Sequence, residues 1–339
     1  MTPKIKPIDI SMSAQWNQTQ GGASYFEEYW VDPIKRVEQE MAMKRVAWER
    51  FGKYGKVGEE NPKPSPTLEA YGDRFIPALF GCEIVYHKNQ APSAVHLAND
   101  DFDAMAAMTV PNFDVSPVIQ KGFADAKMLQ AKYGFCASNI NCGSPLNSAV
   151  SIFGENYLAA LLLEPEIAQH VYKTLVETYF KLYREFTHVI QPDLLPLPQL
   201  YADFGNCPAI MVSPGLYEKV ILPMDVWYRN HCERINIHHC GIIDPYINLY
   251  TQLRPTLIDV GGRSDYEALR RAFPDTPFSL IINTCDAESR NAEELYQFLG
   301  DMVDRSKPYD KISHLWVNEI SDNTAEESIM ALATAHQVI

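Results

Sequence analysis

Apolar residues recur at three- and four-residue intervals along one stretch: Ile167, Val171, Leu175, Tyr179, Leu182 and Phe186. That period predicts an amphipathic helix, opened by Pro165 in its first turn. A second helical pattern runs from Tyr25 to Phe51, with Lys35, Glu38, Glu40 and Lys44 at helical spacing. It must stop at Gly52, Gly55 and the Pro62-Lys63-Pro64 loop. CEIVYH (Cys82 to His87) and SAVHL (Ser93 to Leu97) read as short strands around the Lys88-Asn89-Gln90 turn. GFCASNIN (Gly134 to Asn141) reads as a strand, and Asn147 to Leu163 as helical.

The second half alternates steadily. Strand patterns fall at LLPLPQLYAD (Leu194 to Asp203), INIHH (Ile235 to His239), TLIDV (Thr256 to Val260), FSLII (Phe278 to Ile282) and HLWVN (His314 to Asn318). Helices are expected from Ser213-Pro214, at Asp244 to Leu253, and after a Ser264–Glu267 capping box. Two more follow, at Glu293 to Arg305 and after caps at Thr324 and Glu327. Strand–helix alternation predicts a parallel sheet. The repeat count suits an α/β protein with a (β/α)8 TIM-type barrel. The expected organisation is one barrel domain over residues 1–339, with residues 1–65 as an N-terminal helical extension.

Composition narrows the function. A net charge of −14 over 339 residues argues against nucleic acid and anionic membrane surfaces as partners. Seven cysteines, an odd number with no CxxC pair, argue against a disulfide framework and for a cytoplasmic protein. The start, MTPKIKPIDI, has no basic-then-apolar signal, and no run reaches a membrane span.

Barrel active sites lie at the C-terminal strand ends. The residues closing the predicted strands are Asn139 to Cys142, Tyr201 to Asp203, His238 to Cys240, Asp259, Cys285, and Asn318 with Glu319. The densest chemistry is His238-His239-Cys240. Alternation puts His238 and Cys240 on one face, and thiolate with imidazole is a zinc-favouring pair. Cys285 is the expected third ligand, with Glu319 as its rival. Cys82, Cys136, Cys142, Cys207 and Cys232 read as packing residues. Asp203, Tyr201, Asn141 and Trp316 are candidate substrate contacts, and His239 and Glu319 candidate acid–base groups.

The stretch GSPLNSAVSIFGENYLAALLLEPEIAQHVYKTLVETY, with Gly143, Pro145, Gly154, Pro165 and Glu166, resembles the uroporphyrinogen decarboxylase superfamily. SPGLYEKVILP (Ser213 to Pro223) and HHCG (His238 to Gly241) continue the likeness in order. The resemblance implies a (β/α)8 barrel. Its decarboxylases carry an N-terminal Arg-rich signature, whereas Met12 to Trp30 contains no arginine. Its other branch, methyltransferases serving corrinoid proteins, binds zinc through His-x-Cys and a later Cys. His238 and Cys240 match the first part, but Asn318-Glu319 stands where the later Cys is expected, so Cys285 or Glu319 would substitute.

The chain also resembles the first methyltransferases of anaerobic O-demethylase systems. Asp203, Glu218 and His239 have the spacing of an acidic–acidic–His zinc motif proposed for some of them. The resemblance implies zinc-dependent transfer of methyl from a small methoxylated aromatic, a phenyl methyl ether, to the cobalamin of a separate corrinoid protein. A homodimer is compatible with the pattern. The rival readings are a cofactor-free decarboxylase, a methyltransferase for methanol, methylamine or methylthiol, and a binding barrel without catalysis.

Overall fold

The computed structural model describes residues 5–97, 102–137, 140, 142–193 and 200–339. Among these, eight strands form: β1 (Asp9–Met12), β2 (Ile84–Val85), β3 (Ser93–Ala94), β4 (Tyr201–Gly205), β5 (Arg234–His239), β6 (Leu257–Gly261), β7 (Phe278–Ile282) and β8 (Ile312–Ile320). Six make one sheet in the order β1-β8-β7-β6-β5-β4, and β2 pairs antiparallel with β3. Helices separate successive strands of the large sheet, so the protein has the expected α/β fold. The chain divides into two compact units, Met1–Ser24 with Glu38–Lys63 and Asn236–Ile339, and Tyr25–Val37 with Pro64–Ile235. Among the described residues no single helix is long and apolar enough to cross a membrane.

In the first unit, β1 pairs parallel with β8, β8 with β7, β7 with β6, and β6 with β5. β5 shows why the sheet is buried on one side. Ile235, Ile237 and His239 are buried, while Asn236 and His238 between them are half-buried. Ile258 and Val260 of β6 and Leu315 and Val317 of β8 extend the buried layer. Each such side chain contributes roughly 1.5–3 kcal/mol of burial. The N-terminal region is not helical throughout, because β1 adds a strand whose short polar sequence, DISM, carries no clear alternation. FSLII is a strand with the expected bounds.

Two expected caps are placed differently. Asp265, not Ser264, accepts from the amides of Glu267 and Ala268. The capping box belongs to Asn291 and Glu294, opening the helix Ala292–Arg305. The last helix, Glu326–Val338, starts at Ala325 without a side-chain cap.

The second unit is built on the helix Pro165–Ile190, which buries Val171, Leu175, Tyr179, Leu182 and Phe186 as expected, with Tyr172 and Val176 beside them. The helical stretch predicted after Asn147 is two helices, Pro145–Phe153 and Glu155–Leu163, broken at Gly154. Gly134 caps the helix Pro117–Tyr133, so residues 134–137 form no strand, and Ser138, Asn139 and Asn141 lie outside the described residues. Residues 194–199 of the predicted LLPLPQLYAD strand also lie outside them.

Deep in this unit Asp225 is 1% exposed and accepts hydrogen bonds from the Tyr172 and Tyr217 hydroxyls. Asn206 donates to the Tyr217 hydroxyl at 2.9 Å. Burial pushes the Asp225 carboxyl up to about 7, although both tyrosine hydrogen bonds oppose the shift. Unfolded aspartate titrates near 3.9. Between those two values the folded chain holds a proton that the unfolded chain has lost, so this group lowers stability as pH rises from about 4 to about 7. Asp225→Asn keeps an acceptor without the charge. Its melting temperature is therefore expected to gain on the wild type between pH 5 and pH 8, and a constant difference across that range would refute the assignment.

Candidate functional site

β5 and its neighbours place a polar row on one face of the sheet. Register pairs His238 with Asp259, Asp259 with Ser279, and Ser279 with His314. His238 Nδ1 lies 3.3 Å from an Asp259 carboxylate oxygen. The Trp316 indole donates to the other Asp259 oxygen at 3.3 Å and to Ser279 Oγ at 3.0 Å. Ser279 Oγ also meets His314 Nε2 at 3.1 Å. Burial works against a charged His238, but its hydrogen bonds to Asp259 and Cys240, and their charges, outweigh it and push its pKa up to about 9. Burial would raise the Asp259 carboxyl, but hydrogen bonds from His238 and Ser279 hold it below the usual range.

Cys240 follows β5 directly and is half-buried. Its carbonyl lies against Gly261 at the end of β6, where an added Cβ would stand 2.3 Å from that oxygen. Only glycine allows this approach, which holds the Cys240 backbone beside the row. Asp259 is mid-strand rather than at a strand end, and its carboxylate braces His238. A carboxylate on one imidazole nitrogen is the usual partner of a histidine whose other nitrogen binds metal. His238 and Cys240 therefore fit a zinc ion by donor type and by this brace.

The other sequence candidates sit elsewhere. Cys285 is exposed and lies within the helix Thr284–Glu288 rather than on β7, with Arg263 3.8 Å from its sulfur. It joins no group of close metal donors among the described residues. The strand stops at Ile282 because Asn283 becomes the helix N-cap. His239 faces the opposite side of β5, is fully buried, and contacts the Tyr250 hydroxyl at 3.2 Å. Burial lowers its pKa to about 4. Of the Asp203–Glu218–His239 pattern, Glu218 is exposed on a helical turn, Tyr217–Ile221, while His239 is buried. Glu319 is exposed at the end of β8, on the parity of Leu315 and Val317 rather than of His314 and Trp316. Burial nearby raises its pKa. Ser279 and His314 were not among the sequence candidates, since only register shows that they share the His238 row.

The second unit contains a cavity of about 600 Å³. Six rings line it: Trp30, Phe75, Tyr179, Tyr183, Tyr201 and Tyr228. Three carboxylates, Glu69, Asp73 and Asp203, line it as well. On β4, Tyr201 and Asp203 are exposed while Ala202 and Phe204 are buried, so the first two share the open face. Trp316 belongs to the His238 row in the first unit, and Asn141 lies outside the described residues.

No protein-family model matches the chain, and no curated protein does. Solved structures do. A methyltransferase from Methanosarcina mazei superposes with a TM-score of 0.66 at 11% identity, over 98% of this chain and 94% of that one. The chain has the fold of a known methyltransferase. A B12-independent methionine synthase from Shewanella sp. W3-18-1, in complex with selenomethionine, aligns over 100% of this chain and 97% of its own at 12% identity, with a TM-score of 0.47.

Proposed function

We propose that the protein is a zinc-dependent methyltransferase that moves a methyl group from a phenyl methyl ether to the corrinoid of a partner protein. The observation that carries this reading is the braced His238 beside Cys240 on a methyltransferase fold. His238 and Cys240 are the two donors proposed, a soft imidazole–thiolate pair of zinc-binding type. Zinc, when bound, supplies a Lewis acid for the oxygen that the methyl leaves.

The chain's own residues do the rest. Asp259 fixes the His238 ring through Nδ1 and leaves Nε2 for the metal. Trp316 and Ser279 in turn hold the carboxylate. The cavity rings supply the apolar faces that a methoxylated ring stacks on. In the transfer the methyl–oxygen bond breaks, the methyl carbon bonds to cobalt using the electron pair of the reduced corrinoid, and the oxygen departs as phenolate and takes up a proton.

The test supplies reduced free cobalamin and 2-methoxyphenol and follows the cobalamin spectrum together with catechol release. Catechol forming in step with cobalamin methylation supports the reading. If 2-methoxyphenol and related ethers are inert while methanol or methylamine is consumed, the donor is wrong although the reaction class stands. Asp259→Asn is expected to weaken zinc binding about 10–100-fold without unfolding the chain, as read by competition with a chromogenic chelator. Unchanged affinity would remove Asp259 from the account.

A further inference from the structure

We infer that His314 is a positioning residue of the proposed zinc site: it competes with Asp259 for the single hydroxyl proton of Ser279, and so sets how firmly Asp259 braces His238. This rests on the zinc reading above and deepens it. His314 acts at a distance along the row, since its ring is bonded to Ser279 on one side and to Ser313 on the other. All the residues of the row belong to the first unit.

The competition follows from counting protons. A serine hydroxyl carries one proton, and a neutral imidazole carries one N–H. Phe278 of β7 pairs with Ile312 of β8, but the next residue, Ser279, pairs with His314. β8 thus carries one extra residue there, Ser313, in the manner of a β-bulge. The Ser313 hydroxyl donates to the Phe278 carbonyl at 3.0 Å. With that proton committed, Ser313 Oγ can only accept from His314 Nδ1, 3.1 Å away. Nδ1 therefore holds the proton of the neutral ring, and Nε2 is an acceptor. Ser279 Oγ lies 3.1 Å from that Nε2 and accepts from the Trp316 indole at 3.0 Å. Its own proton then faces two acceptors, His314 Nε2 and the Asp259 carboxylate beside it on β6.

The consequence falls on His238. A carboxylate bonded to a ligand imidazole raises the basicity of that ligand. Each further donor to the carboxylate draws on the same lone pairs and loosens the brace. Asp259 already accepts from Trp316 at 3.3 Å and faces His238 Nδ1 at 3.3 Å. By taking a share of the Ser279 proton, His314 keeps Asp259 a stronger acceptor for His238.

The experiment has two arms, both on the full chain. The first is long-range proton–nitrogen NMR of zinc-free, histidine-labelled protein at pH 8, above the ordinary histidine range. The His314 signal is assigned by its loss in His314→Gln. A proton on Nδ1 and a bare Nε2 are expected, and a proton on Nε2 would overturn the inference. The second arm is zinc affinity by chelator competition, with thermal unfolding alongside to confirm that each variant folds. His314→Phe turns the Ser279 proton to Asp259 and is expected to weaken zinc binding about threefold, less than loss of the brace itself. In a Ser279→Ala background there is no proton to redirect, so the same change is expected to leave affinity unaltered. An unchanged affinity in His314→Phe alone, or an equal loss in both backgrounds, would overturn the inference while leaving the zinc site in place. The NMR arm is decisive should His314→Phe not fold. A wild-type chain that binds no zinc would overturn the zinc reading and, with it, the role given to His314.

Discussion

His238→Ala is expected to abolish stoichiometric zinc binding and, with it, methyl transfer. His238 is the donor whose ring is fixed by a carboxylate, and that carboxylate is itself held by Trp316 and Ser279. Losing a ligand costs more than losing its brace, so the loss in affinity should exceed the roughly 10–100-fold expected on removing Asp259. Cys240→Ser should lower zinc content as well, whereas Cys285→Ser should not, because Cys285 stands on a separate helix beside Arg263. Metal analysis of the three purified variants checks this. Zinc retained in His238→Ala, or lost in Cys285→Ser, would mean that the donor set is wrong.

Gly154→Ala, a change of one methyl group, is expected to destabilise the fold strongly. Gly154 joins the helices Pro145–Phe153 and Glu155–Leu163 at φ 60° and ψ −139°, a conformation open essentially to glycine alone. An added Cβ would also stand 2.5 Å from Nδ1 of His96. The His96 segment has little freedom to retreat, since the Leu97 amide donates to the Ile152 carbonyl at 2.8 Å. Backbone strain of about 1–3 kcal/mol and overpacking of similar size together predict a loss of about 3 kcal/mol. For a chain of this length that lowers the melting temperature by roughly 4 °C, read by calorimetry. A variant that melts with the wild type would show that the helix junction is not constrained as described.

These two sites differ in how far the sequence discloses them. The pairing of His238 with Cys240, proposed to hold zinc, follows from strand alternation, which puts the two on one face and turns His239 away. The brace was not legible. That Asp259 stands beside His238, and Ser279 beside Asp259, depends on inter-strand register, which no local pattern encodes. Cys285 was misplaced for a local reason: FSLIINTC reads as a continuous strand, yet Asn283 turns the chain into a helix two residues before the sulfur.

The fold shows the same division. The helix Pro165–Ile190 and strand β7 follow from periodicity, since the helix buries Val171, Leu175, Tyr179, Leu182 and Phe186 and β7 buries all of its residues. β1 does not, because four residues of mixed polarity are strand only through pairing with β8. The cavity is hardest to read in advance. Its rings come from positions as far apart as Trp30 and Tyr228, and only tertiary packing gathers them.

The most direct test of the central claim is zinc content measured against methyl transfer on one preparation. Protein purified without chelator should carry about one zinc per chain. Removing the metal should abolish transfer from 2-methoxyphenol to reduced cobalamin, and adding zinc back should restore it. Full transfer by protein shown to be free of zinc would contradict the account.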